Sequence, residues 1–136
     1  MTRFLLDTNV ISESARPAPD PKVIAFLEAA GDACLSAVSL FEICRGIERL
    51  AAGRRRSFLE AWFEELQTGA FEILSLAKET ALIAARLEVK LGRTGNSIEV
   101  RDLFIAASAS EHGLTLVTRN EAHFEGLGQK VVNPFS

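Results

Sequence analysis

Apolar residues fall along this chain in two rhythms. Short, mainly apolar runs, Phe4-Leu5-Leu6, Ala33 to Ala37, Glu72-Ile73-Leu74, Leu114 to Val117 and Val131-Val132, have the length and content of strands in a covered parallel sheet. Between them the apolar positions spread to spacings of three and four, the mark of helices with one buried face. Val10 to Ala15 has the composition of a short helix, which Arg16-Pro17-Ala18-Pro19 must end because proline lacks an amide donor and restricts its predecessor. Asp20-Pro21 then reads as an N-cap and first helical position ahead of Val23, Phe26, Leu27 and Ala30, with Gly31 as the stop. Ser39-Leu40-Phe41-Glu42 has the S-x-x-E form of a capping box, opening a helix through Ile43, Ile47 and Leu50 to Gly53. Gly46 inside it is disfavoured by about 1 kcal/mol against alanine, which predicts a close approach by another group.

The next helix carries Phe58, Leu59, Trp62, Phe63 and Leu66, an apolar stripe wide enough to be either core or a docking surface for a partner. Lys78 to Leu91, with Ala81, Leu82, Ala85, Leu87, Val89 and Leu91, forms a long helix closed by Gly92. After the loop Arg93-Thr94-Gly95-Asn96-Ser97, a helix of Ile98 to Glu111 places Asp102, Ile105, Ala106 and Ala109 on one side. Glu121 to Gln129 reads as a loop or irregular helix. Strands alternating with helices predict one α/β domain over residues 1–136, a three-layer α/β/α sandwich around a central parallel sheet of about five strands.

Charge and cysteine content narrow the chemistry. The net charge of −3 excludes a generally basic surface as the basis of nucleic-acid binding, so an anionic substrate needs local help. Arg54-Arg55-Arg56 is such a local feature, read either as a solvated turn suited to a helix C-terminus or as a phosphate contact. Cys34 and Cys44 lack CxxC spacing and a nearby histidine, and read as two buried thiols. No apolar stretch approaches the ~20 residues of a membrane span, and Phe4 to Leu6 is too short for a secretory signal, which predicts a soluble cytoplasmic protein.

The polar residues that punctuate the strands are the candidate site. Asp7 ends the first strand, where it could cap the following turn or face a ligand. Glu42 is a capping-box acid or a site acid, and Asp102 is a carboxylate on a small-residue helix face where burial is costly without a partner or a metal. Asn120 follows the fourth strand in Thr118-Arg119-Asn120, a pattern like Leu6-Asp7-Thr8. If Asp7, Glu42 and Asp102 converge with Asn120, their mutual repulsion favours a hard divalent cation such as Mg²⁺ or Mn²⁺ on oxygen ligands.

Four motifs in order, Leu5-Leu6-Asp7-Thr8-Asn9-Val10-Ile11-Ser12-Glu13, Ser39-x-x-Glu42-x-x-x-Gly46, Asp102-x-x-Ile105-Ala106-Ala107 and Leu116-Val117-Thr118-Arg119-Asn120, resemble those of PIN-domain ribonucleases, particularly the VapC and FitB toxins. The resemblance spans Arg3 to Asn133-Pro134. It implies a five-stranded parallel sheet and a Mg²⁺- or Mn²⁺-dependent endoribonuclease, the toxin of a toxin-antitoxin pair, held inactive by a cognate antitoxin. It also implies a homodimer. Asp7, Glu42 and Asp102 match the three principal acidic positions of the family, and Thr8 and Thr118 match positions that hydrogen-bond near the site, with capping as the alternative. The fourth acidic position is Asn120, and His123 stands where the family often has a further acid; an amide ligates without adding charge, which bears on metal affinity and on a second metal. Two rivals remain at this level: a PIN-like module that binds RNA or protein without cleaving, and a receiver-like phosphoacceptor domain.

Overall fold

The computed structural model describes residues 2–136. Five strands, β1 (Phe4–Leu6), β2 (Ala33–Ser36), β3 (Glu72–Leu74), β4 (Thr115–Val117) and β5 (Val131–Val132), form one sheet in the order β3-β2-β1-β4-β5. Every neighbouring pair is parallel. Six helices accompany them: α1 (Thr8–Glu13), α2 (Pro21–Ala29), α3 (Ala37–Glu48), α4 (Arg54–Thr68), α5 (Lys78–Gly92) and α6 (Val100–His112). A 3-10 turn covers Glu121–Phe124.

The strand alternation divides the core in two. Leu5 aligns with Cys34 and Leu116, and these pack with Leu91 of α5 and with Ile105, Ala106 and Ala109 of α6. Leu6 aligns with Leu35 and Val117, and these face Val10, Ile11, Val23, Ile43, Ile47 and Leu66 of α1 to α4. Successive side chains point to opposite faces of a strand, so the short run of β1 serves both cores at once and must be apolar throughout. The result is the expected three-layer α/β/α sandwich.

Strand order reverses at β1. The chain moves outward from β1 through β2 to β3, then crosses to β4 and β5 on the other side. In open α/β sheets this switch point leaves a crevice at the carboxyl ends of the two adjacent strands. Asp7 follows β1 and Thr118 follows β4, so both stand at that crevice.

Several local readings are corrected. Ser36, not Ser39, caps α3: its hydroxyl accepts from the Val38 amide at 3.1 Å. The helix thus begins three residues earlier than the S-x-x-E pattern suggests, Ser39 lies fully buried within it, and Glu42 is released from any capping duty. The helix also ends at Glu48, short of Gly53. Asp7 is itself the N-cap of α1, which therefore starts at Thr8. Cys44 is exposed while Cys34 is buried, because Cys44 falls on the solvent side of α3. A Cβ added at Gly46 meets nothing within 4 Å, so no group approaches this glycine; it borders open space instead.

The stripe on α4 is largely core: Leu66 is buried, and Leu59, Trp62 and Phe63 pack against the same cluster, while Phe58 remains 53% exposed. On α5 the buried positions are Thr80, Ala84 and Leu91, and Leu82 and Val89 point outward. Arg55 and Arg56, in the first turn of α4, donate to the carbonyls of Ala15 and Leu50, which follow the ends of α1 and α3. Cations belong at such carbonyl ends.

Candidate active site

Asp7 is held from several directions. Its backbone amide donates to the Val117 carbonyl at 2.8 Å, extending the β1–β4 ladder by one step. One carboxylate oxygen, Oδ1, accepts from the Thr8 amide at 2.8 Å. The other, Oδ2, accepts from the Thr118 hydroxyl at 2.7 Å and the Asn9 amide at 3.2 Å. The side chain is only 5% exposed. Burial pushes the Asp7 carboxyl above its ordinary value, and the charge of Asp102 adds to the rise; the hydrogen bonds from Thr118, Thr8 and Asn9 oppose it.

The turn after β4 completes this wall. Thr118 is fully buried and accepts from the Asn120 amide at 3.0 Å, and Asn9 accepts from the Arg119 amide at 3.1 Å. Two strand-end turns 110 residues apart in sequence are therefore stitched together by side chains of the Asp7-Thr8-Asn9 and Thr118-Arg119-Asn120 segments. Asn120 enters through its backbone, and the residue is exposed.

Glu42 and Asp102 line the opposite side. Glu42 accepts from the Thr8 hydroxyl at 2.8 Å, and that same hydroxyl lies 2.8 Å from the Ser39 hydroxyl. A hydroxyl carries one proton, so the chain of bonds closes with Ser39 donating to Thr8 and Thr8 donating to Glu42. Arg101 sits 3.6 Å from the other Glu42 oxygen and also pairs with Glu99. Asp102 lies in the first turn of α6, with its side chain 20% exposed, and meets His123 Nδ1 at 3.2 Å. Partial burial raises its carboxyl, the charges of Glu99 and Glu42 add to the rise, and His123 opposes it.

The charge of Asp102 thus reaches Asp7, and the charge of Glu42 reaches Asp102. Among the described residues, however, no three His, Cys, Asp or Glu side chains come together as a closed metal-holding group. Glu42 is turned to Arg101 and Asp102 to His123. Arg101 and Ser39 escaped the sequence reading. Ser39 was assigned to the cap, and Arg101 carries no signal beyond its place beside Asp102.

A cleft of about 420 Å³ opens from this site, with Thr8, Asn9 and Glu42 at one end and Gly46, Leu59 and Trp62 along its length. No helix among the described residues is long and apolar enough to cross a membrane.

The chain is similar to known proteins over nearly its whole length. It is 36% identical to Toxin FitB of Neisseria gonorrhoeae, the match covering 97% of this chain and 98% of the toxin. It is 33% identical to the VapC ribonuclease Y4jK of Sinorhizobium fredii, over 97% of each chain. Among solved structures, it superposes on a chain of FitAB bound to an IR36 DNA fragment with a TM-score of 0.90 and 34% identity, covering 98% of this chain and 96% of that one. The PIN domain model matches residues 4–128, which takes in β1 to β4, all six helices, Asp7, Glu42, Asp102 and Asn120; the chain belongs to the PIN domain family.

Proposed function

We propose that this chain is a Mg²⁺- or Mn²⁺-dependent endoribonuclease, the toxin of a toxin-antitoxin pair, working in the cytoplasm as a homodimer that a cognate antitoxin restrains. The observation that carries the reading is the buried Asp7 at the switch point, raised by burial and by the Asp102 charge, with Glu42 in turn raising Asp102. Relatives named as a VapC ribonuclease and a toxin support the RNA substrate and the toxin role. The FitAB complex supports a protein partner.

The donor set fits a hard divalent cation: carboxylates of Asp7, Glu42 and Asp102, with the Asn120 amide oxygen, and no thiolate or imidazole among them. When bound, such an ion lowers the pKa of a coordinated water and stabilises charge on the scissile phosphate. The chain's own residues set the stage. Thr118, Asn9 and the Thr8 amide fix Asp7, and Thr8 with Ser39 behind it orients Glu42. Arg101 and His123 are the cationic or polar partners that Glu42 and Asp102 would give up to hold such an ion.

A binding-only PIN-like module is the second reading, favoured by those same pairs, which hold two of the three acids, and by the neutral Asn120. Incubation with single-stranded RNA in Mg²⁺ and in EDTA separates the two. Cleavage in Mg²⁺, lost in EDTA and in Asp102→Asn with the fold intact, is the expected result. Full activity in Asp102→Asn removes Asp102 from the site, and RNA bound but intact under all conditions leaves the binding module.

A further inference from the structure

Gly46 stands one helical turn beyond Glu42 on α3, so the two share a face, and both border the 420 Å³ cleft. A helical glycine is unfavourable by about 1 kcal/mol against alanine, and here nothing lies within 4 Å of the missing Cβ. Packing does not require the glycine, and its bare backbone leaves the cleft open beside it. Ile43, Ile47, Leu59 and Trp62 supply apolar walls to that space.

Three arginines outnumber the two glutamates, Glu13 and Glu42, around this cleft, although the chain is acidic overall. Arg16, Arg55 and Arg119 border the cleft. Arg16 pairs with the buried Glu13 at 3.5 Å. Arg55 and Arg119 have no carboxylate partner among the described residues and instead lie over the rings of Phe58 and Phe135. Stacking over a ring orients a guanidinium; Arg55 gives one nitrogen to the Ala15 carbonyl, and its remaining in-plane donors and those of Arg119 can meet an anion.

We propose that this cleft is a nucleotide subsite: an unpaired base of the RNA next to the scissile phosphate enters beside Gly46 against Trp62 and the Ile43, Ile47 and Leu59 side chains, while flanking phosphates meet Arg55 and Arg119. The inference rests on the ribonuclease reading and adds a specificity pocket to it. The volume falls in the range of small-ligand sites. Apolar and aromatic walls with basic residues at the rim are the chemistry of single-strand recognition. Continuity with Glu42 and Thr8 places the bound base a short step from the acids, which favours a substrate nucleotide over a protein segment.

Trp62 is the only tryptophan and borders this cleft and a second one toward Phe71, so a change in its fluorescence is assigned to this cleft by its loss in the Gly46 variants. Full-length protein is titrated in EDTA with single-stranded ribonucleotide tetramers of each of the bases, and Gly46→Leu, Gly46→Ala and the pair Arg55→Gln/Arg119→Gln are compared with it. The expected result is a saturable, base-dependent change in Trp62 emission. Gly46→Leu fills the cleft and weakens binding about tenfold or more, with Tm not lowered, and raises KM for RNA in Mg²⁺. The arginine pair weakens binding to all bases alike and flattens its salt dependence. Tetramers that leave Trp62 unchanged overturn the proposal, as does Gly46→Leu with wild-type affinity and KM. Gly46→Leu that binds RNA normally but no longer binds the antitoxin makes the cleft a protein groove. Should Gly46→Leu lower Tm, the decision passes to the arginine pair, whose unchanged affinity and salt slope overturn it. Tetramer binding at Trp62 without cleavage in Mg²⁺ keeps the subsite and removes the ribonuclease, whereas cleavage with Trp62 silent does the reverse.

Discussion

The two walls of the acidic site are built on different principles. Around Asp7 every partner is neutral and belongs to rigid structure: the amide that opens α1, the buried Thr118 hydroxyl after β4, and Asn9. Around Glu42 and Asp102 the outward partners are charged or titratable, on long or exposed side chains, Arg101 and His123. Neutral dipoles hold a carboxylate in place without satisfying its charge, so Asp7 stays short of a counter-ion. Arg101 and His123 supply compensation where exposure makes release easy. One wall is preorganised and the other exchangeable, a division suited to the metal-dependent site proposed above.

The largest effect should come from breaking the rigid wall. Thr118→Val keeps the shape of a fully buried side chain but removes the donor to Asp7 and the acceptor for the Asn120 amide. A hydrogen bond to a charged group contributes about 1.5–3 kcal/mol, and urea unfolding of Thr118→Val should show a loss of that size. Arg101→Gln, which breaks a partly exposed pair, should change stability by less than ~1 kcal/mol. Equal losses in the two variants would erase the distinction between the walls.

This division also explains what could be read in advance. The order of strands and helices was legible, because each short apolar run is bounded by turn chemistry and each long one keeps a helical period. The place of Asp7 at a strand end was legible because a carboxylate closes an apolar run. The start of α3 was not: Ser36 and Ser39 are both cap-forming residues, and only the end of β2 decides between them. Leu82 and Val89 resemble buried residues in sequence, and only the docking of α5 on α6 shows which stripe faces inward. The pairs Arg101–Glu42 and His123–Asp102 join separate elements and leave no trace in local spacing. The strand-end position of Asp7 is local and therefore readable; its bond from Thr118, like the exchangeable pairs, depends on tertiary placement.

Acidity tests the same contrast with a smaller effect. Burial raises Asp7, so the folded state binds its proton more tightly than the unfolded chain does. For a group raised in this way the contribution to stability is fully present below the unfolded value, about 3.9 for Asp, and is lost as pH rises through the folded value. At neutral pH, in EDTA, the ionised Asp7 therefore weighs against the fold. Asp7→Asn should raise Tm at neutral pH and remove part of the wild-type gain seen on acidification toward that window. A lower Tm for Asp7→Asn would mean that its hydrogen bonds outweigh its burial.

On the exchangeable wall, Arg101→Gln should tighten Mn²⁺ binding several-fold by calorimetry, since Glu42 no longer has a cation to leave. Glu99, which also pairs with Arg101, gains freedom in the same variant, so Glu99→Gln serves as the control. Unchanged Mn²⁺ affinity in Arg101→Gln would show that the pair does not compete with the metal.

The smallest change, Asn120→Asp, asks which wall the turn after β4 belongs to. Its backbone belongs to the rigid wall, because the Asn120 amide donates to the Thr118 hydroxyl that holds Asp7. Its side chain is exposed and free to behave like the other wall. A carboxylate there adds a further negative charge near acids already raised by one another, so in EDTA the fold should weaken slightly and the Asp7 carboxyl should rise further. With Mn²⁺ present the same charge becomes an additional oxygen ligand, and affinity should tighten while the stability deficit reverses, because a cation that binds only the folded state stabilises it by mass action. Opposite signs with and without the ion are the signature expected, read by thermal melts in EDTA and in Mn²⁺. A deficit of equal size in both conditions would place the Asn120 side chain outside the metal's reach and leave it to the turn.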